Sequence, residues 1–186
     1  MYLSLTQGSK FLLPLCLLMA ILGCSSSQTS VQANVQKHSN ANQVMELMRV
    51  GSAYYLKHDF ENAIGPYQKA LDLERENRTL DDTFWKVLVD NLGMSYGITG
   101  NLDKAKEVFA YGISKEPDYP MFYYNMACTY GEKDDMEKAI EYLRLAFDRR
   151  ENMIAGERMP NPATDSSFER FMKEEKFKAA LKELKH

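Results

Sequence analysis

Histidine and cysteine are scarce in this sequence, three of each among 186 residues, and that removes several kinds of chemistry at once. A metal centre needs two or more His, Cys or carboxylate ligands at suitable spacing. His38, His58 and His186 stand far apart, and none has a second His or a Cys nearby. A cysteine nucleophile needs a base within reach, and the sequence around Cys128 offers no histidine. No glycine pattern resembles a phosphate-binding loop, while acidic pairs such as Asp81-Asp82 and Asp134-Asp135 read as helix starts. Basic charge is not concentrated either: 23 Lys+Arg stand against 26 Asp+Glu, for a net charge of −3. Nucleic-acid phosphates need clustered cations, and here they are interspersed among Asp and Glu along the chain. The reading is no catalytic residue, no cofactor, no metal and no nucleic-acid partner.

Also missing is an apolar run long enough to span a bilayer. The longest, Phe11 to Leu22, has 12 residues, where spanning takes roughly 20. It follows Lys10 and suits the core of a signal peptide. It ends Ile21-Leu22-Gly23-Cys24, which resembles the lipobox of bacterial lipoproteins. That resemblance implies a signal peptide over residues 1–23, a lipid on Cys24 and a membrane partner through that anchor. It also implies a bacterial envelope location, in the outer membrane facing the periplasm, since Ser25 is not the Asp that retains such proteins at the inner membrane. Cys16 would leave with the signal, so Cys128 would remain the single free thiol and no intramolecular disulfide could form. Residues 24–41, rich in Ser, Gln and Asn, offer little to bury and are expected to form a flexible tether.

What the sequence does contain, from about residue 42, is an internal repeat. Small residues and tyrosines align as Gly51-x-x-Tyr54, Gly93-x-x-Tyr96 and Ala127-x-x-Tyr130. Further on come Ala63-x-x-x-Tyr67, Ala105-x-x-x-Phe109 and Ala139-x-x-x-Leu143. Both landmarks shift by 42 residues from the first unit to the second, and by 34 from the second to the third. The 34-residue period, the apolar-small pair, the Tyr, the Ala and the aromatic four residues later resemble the tetratricopeptide repeat. The middle unit, Leu92-Gly93, Tyr96, Ala105, Phe109 and Pro117, fits best. The third lacks the closing Pro (Glu151), as does the first (Arg75).

The resemblance implies an all-α, right-handed solenoid of three helix pairs, about 44–77, 86–119 and 120–151, with residues 152–186 forming a loop and C-terminal capping helices. Three pairs are about the number needed for each apolar face to find a neighbour. The eight extra residues between units one and two point to a longer first helix in unit two, opened by a capping box at Thr79-x-x-Asp82. Gly65-Pro66 predicts a kink, or a helix that starts late at Pro66. A second capping box, Ser166-x-x-Glu169, and broken apolar phasing near Lys173–Lys176 predict two short terminal helices.

In such arrays the first helix of each pair lines a groove that holds a peptide or a partner helix. Carried onto this chain, the lining includes Met45, Met48 and Tyr55, then Asn91 and Met94, then Met121, Tyr124, Asn125 and Cys128. Asn91 and Asn125 match a frequent groove asparagine whose amide can bond a peptide backbone. The Lys/Arg set that captures a C-terminal carboxylate in some members is absent. A lining rich in Met and Tyr suits an apolar segment of a protein or peptide partner. The function this implies is a membrane-anchored periplasmic adaptor, not an enzyme, in an envelope assembly. The alternatives are an accessory subunit of a cell-envelope enzyme, or a structural lipoprotein that self-associates as a homodimer.

Overall fold

Three turns of this protein have the same backbone, and each rests on one residue with a left-handed conformation. His58 (φ 58°), Gly100 (φ 82°) and Asp134 (φ 62°) occupy equivalent places, 42 and 34 residues apart. In each turn the N–H one residue later bonds back to a repeated tyrosine's carbonyl: Asp59 to Tyr54, Asn101 to Tyr96, Asp135 to Tyr130, at 2.8–3.0 Å. This six-to-one closure is the Schellman way of ending a helix. The next helix starts at once, and the Asp59 and Asp135 carboxylates each accept an N–H from its first turn.

The computed structural model describes residues 22–184, with side chains from residue 35 onward, that of Lys37 excepted. Among the described residues there is no strand. The α-helices are α1 (Leu22–Tyr55), α2 (Phe60–Glu76), α3 (Asp82–Ile98), α4 (Leu102–Lys115), α5 (Pro120–Glu132), α6 (Met136–Phe147) and α7 (Glu175–Glu183). The chain divides into two units, residues 1–38 and 39–186. The second holds the core: the end of α1 with α2, α3 with α4, and α5 with α6 are consecutive helix pairs of a solenoid.

Glycine and aromatic residues lock the first two pairs. A Cβ on Gly51 would lie 2.7 Å from the Tyr67 ring, and one on Gly93 2.4 Å from the Phe109 ring. The equivalent positions in the third pair are Ala127 and Leu143, where a methyl faces a smaller side chain. The landmark alanines Ala63, Ala105 and Ala139 are fully buried. One core cluster runs from Val44 through Tyr67, Trp85 and Phe109 to Phe122 and Met126. A second joins α5 and α6 to Phe168, Phe171 and Phe177 of the C-terminal segment.

The eight additional residues of unit two are shared out. Beyond its landmark alanine, α2 runs three residues further than α4; its connection to α3 is one residue longer; and α3 is four residues longer than α5. The expected capping box at Thr79 does not form. Asp81 caps α3 by accepting the Phe84 N–H at 2.9 Å, while Thr79 donates its N–H and hydroxyl to Glu74. The buried Glu74 carboxylate also accepts from the Leu80 N–H and so holds the whole connection. Pro66 does not delay α2, which begins six residues earlier at Phe60. Gly65 before it has no Cβ to collide with the proline ring.

Two further expectations change. The segment read as a flexible tether is helical, because α1 extends back to Leu22. No Gly or Pro lies between Cys24 and Val50, and a helix satisfies its backbone within itself whether or not it buries a face. The terminal split near Lys173–Lys176 is present as a 3-10 segment, Ser166–Phe171, followed by α7. Its cap is Asp165, which accepts the Ser167 N–H, and not Ser166. Residues 1–21 of the expected signal peptide and the Cys24 side chain lie outside the described residues. No described helix is long and apolar enough to cross a membrane.

Candidate partner-binding groove

The tetratricopeptide likeness assigns the groove wall to the first helix of each pair, α1, α3 and α5, and the repeat offsets sort its side chains into tiers. Met45, Val87 and Met121 form one tier; Arg49, Asn91 and Asn125 a second; Ser52, Met94 and Cys128 a third; Leu56, Ile98 and the Glu132 stem a fourth. On α3 the stripe Phe84, Val87, Asn91, Met94, Ile98 follows a three-four spacing, which keeps it on one helix face. Its ends are open, with Phe84 47% and Ile98 54% exposed. Met45 is 45% exposed. Sequence reading singled out neither Phe84 nor Leu56, although the same spacing reaches both.

Met48 and Tyr124 depart from their expected place. Both are core side chains, 5% and 2% exposed, which takes them out of the lining. Met48, Asp90 and Tyr124 are equivalent positions, and the latter two bond to the next element in the stack. Asp90 accepts the Asn125 amide N–H across to α5 at 2.6 Å. Tyr124 donates to Asp165 of the C-terminal segment at 2.9 Å. The expected lining residue Tyr55 is half-buried: it meets Phe60 and Tyr67 edge-on and donates to the Met94 sulfur at 3.3 Å. Burial pushes its phenol up to about 12, with the Asp90 and Tyr67 oxygens adding to the effect.

Both asparagines already use an amide N–H inside the protein. Asn91 donates to the Tyr67 hydroxyl at 3.1 Å, and that hydroxyl shares a second hydrogen bond with Ser52 at 3.0 Å. This polar chain joins all of α1, α2 and α3. Asn125 is buried and committed to Asp90. Burial lifts the Asp90 carboxyl to about 7; the Asn125 hydrogen bond opposes that rise and the Glu157 charge adds to it. Glu157 is itself held by the buried Tyr119 hydroxyl at 3.0 Å. Cys128 sits 3.6 Å from Asp165, and burial together with that carboxylate pushes its thiol well above its ordinary value. A thiol kept protonated is a poor nucleophile. The wall therefore offers half-exposed Met45, Phe84 and Ile98 and the less exposed Val87 and Met94 above a set of internally satisfied polar groups. Such a surface can take up an apolar segment.

A tetratricopeptide repeat family model matches residues 122–153, which is α5, α6 and the turn after them. This chain contains a tetratricopeptide repeat. The whole arrangement is similar to solved tetratricopeptide-type structures. PcrH from Pseudomonas aeruginosa is 16% identical with a TM-score of 0.53, over 78% of this chain and 93% of that one. The type III secretion translocator chaperone SycD of Yersinia enterocolitica, in an alternative dimer, is 17% identical with a TM-score of 0.52, over 77% and 92%. PcrH in complex with the chaperone binding region of PopB is 16% identical with a TM-score of 0.51, over 75% and 94%. At these identities the likeness is one of fold. Among curated proteins none matches the sequence.

Proposed function

We propose that this protein is a lipid-anchored adaptor of a bacterial cell envelope, which holds an apolar segment of a protein partner along its tetratricopeptide groove and carries out no catalysis itself. The observation that carries the reading is the open stripe on α3. Phe84, Val87, Met94 and Ile98 lie on one face, with two of them about half exposed. Apolar side chains in a row interrupted only by Asn91 are costly to leave in water and gain when a partner covers them. PcrH, similar in fold, has been solved with a segment of PopB bound, which supports a peptide ligand for this kind of scaffold. The Cys24 context supports the anchor, which would place the adaptor in the outer membrane facing the periplasm.

Two experiments test this. A photo-reactive residue at Met45 or Val87 in living cells is expected to capture the same partner, while one at Lys104, exposed on the second helix of its pair, captures none. Equal capture from Lys104 would sink the groove reading. For the anchor, Cys24→Ser is expected to move the protein from the membrane to the soluble fraction; persistence in the membrane would reject lipidation at that residue.

A further inference from the structure

At one end the groove deepens into a cleft of about 510 Å³ between the C-terminal halves of α3 and α5. Its floor is apolar, made by Met94, Leu102 and Phe109, with the exposed Ile98 at its edge, and Asp165–Ser167 close its far side. Two carboxylates, Glu132 and Asp165, stand among its walls, and no Lys or Arg lines it among the described residues. The last turn of α3 also borders it, bringing the negative end of a helix dipole. The nearest counter-charge on a lining carboxylate is Arg170, 3.8 Å from Glu132 with both side chains about half exposed, a pairing of little strength. Asp165 is fixed in place, since it accepts from the Tyr124 hydroxyl and the Ser167 N–H.

We propose that this cleft receives a large apolar side chain of the partner peptide together with an adjacent lysine or arginine. The inference rests on the groove reading above and narrows it. A cavity of this size is of the order that holds ligand groups, about 300–1,000 Å³. The floor rewards a leucine- or methionine-sized side chain. The walls reward a cation beside it and repel an acidic neighbour. Charge placed in this way sets which partner is accepted more than how tightly it is held. The exposed Ile98 side chain stands at the entrance, where a change of polarity leaves the core untouched.

The test uses the purified full chain with methyl-labelled methionine and three synthetic twelve-residue peptides that share one neutral scaffold. The central pair is Leu-Lys in the first, Leu-Glu in the second and Ala-Lys in the third. The Leu-Lys peptide is expected to move the Met94 methyl resonance and to bind about tenfold more tightly than either of the others. Ile98→Glu is expected to abolish the Met94 response, and Glu132→Lys to turn the preference toward Leu-Glu. Equal binding of Leu-Lys and Leu-Glu would overturn the proposal, as would a preference unaltered in Glu132→Lys. Movement of Met45 and Met121 without Met94 would overturn the cleft while leaving the groove reading standing. No methyl response to any peptide would also overturn the cleft, with partner capture from Met45 and Val87 still deciding the groove. A Met94 shift that grows with protein concentration and no peptide would assign the cleft to a second copy of this chain and overturn the proposal.

Discussion

Single residues set how closely the helices of each pair approach. Glycine faces an aromatic ring in the first two pairs and alanine faces leucine in the third, so the volume removed on one helix is returned on the other. Gly93 leaves no room, since a methyl there would stand 2.4 Å from the Phe109 ring. Gly93→Ala is expected to cost about 1–3 kcal/mol through overpacking, measured by urea denaturation. Adding Phe109→Leu recreates the pair of the third unit, and the double variant is expected to be more stable than the sum of the single losses. Strict additivity would show that the two positions do not compensate. Asp90 allows a second residue-scale prediction. Asn125 faces it from α5, Tyr55 from α1, and Tyr119 and Glu157 from the start of α5 and the linker after α6. Its folded value of about 7 lies above the ordinary carboxylate value of 3.8, so between these the folded protein keeps a proton that the unfolded chain releases. The associated stability is fully present below about pH 4 and is lost as pH rises toward 7, with a slope of up to about 1.4 kcal/mol per pH unit. Asp90→Asn keeps an oxygen to accept from Asn125 and removes that slope. The variant is expected to match the parent near pH 4 and exceed it at pH 8, and a gap independent of pH would contradict this origin.

At the scale of helices and turns, some of the fold was legible in the sequence and some was not, for physical reasons. The helix pairs were legible because close crossing demands a small residue and an aromatic at fixed offsets, and both sets of offsets agree. The turns were less so. They demand a left-handed residue, which a glycine would announce, but His58 and Asp134 fill two of the three places. Their fit comes from closure back to Tyr54 and Tyr130, a backbone bond with no side-chain signature. The start of α3 was misplaced by Thr79 because the carboxylate that uses Thr79 belongs to Glu74, on the preceding helix. The late start expected at Pro66 does not occur, for a similar reason. Gly65 relieves the clash that a proline imposes on its predecessor, so α2 continues through both. In the groove, a helix wheel could order the inner faces but not say what covers them. Tyr124 and Cys128 meet Asp165, which lies 41 and 37 residues away. Asn125 meets Asp90 only because consecutive first helices stack. Contacts between elements decide exposure, and these do not appear in the periodicity of one helix.

The whole molecule inherits its stability from such stacking, since each pair of a solenoid touches only its neighbours. The two core clusters meet around α5: Ile113 of α4, Met121 and Tyr130 of α5 and Tyr142 of α6 pack against both. The second cluster depends on the C-terminal segment, where Phe168 and Phe177 are fully buried with ring centroids 5.7 Å apart. That segment stands where a fourth pair would stack. Its 3-10 turn lies against α5, so closely that a Cβ on Gly131 would meet the Ser167 carbonyl oxygen at 2.5 Å. Arg144–Glu183 and Lys176–Glu137 ion pairs tie α7 to α6 at the exposed rim, where such pairs contribute little. The aromatic cluster therefore carries the cap. Phe177→Ala is expected to cost about 3–5 kcal/mol by opening a cavity there. In a nearest-neighbour stack that loss is felt locally first. Amide hydrogen exchange is expected to accelerate in α7 and α6, then in α5, while α2 and α3 keep most of their protection. A uniform loss across all helices would show instead that the three pairs and the cap open as one cooperative body. In that case Asp165 could not leave the cleft wall without unfolding the pairs beside it, and the cleft would be a fixed part of the groove.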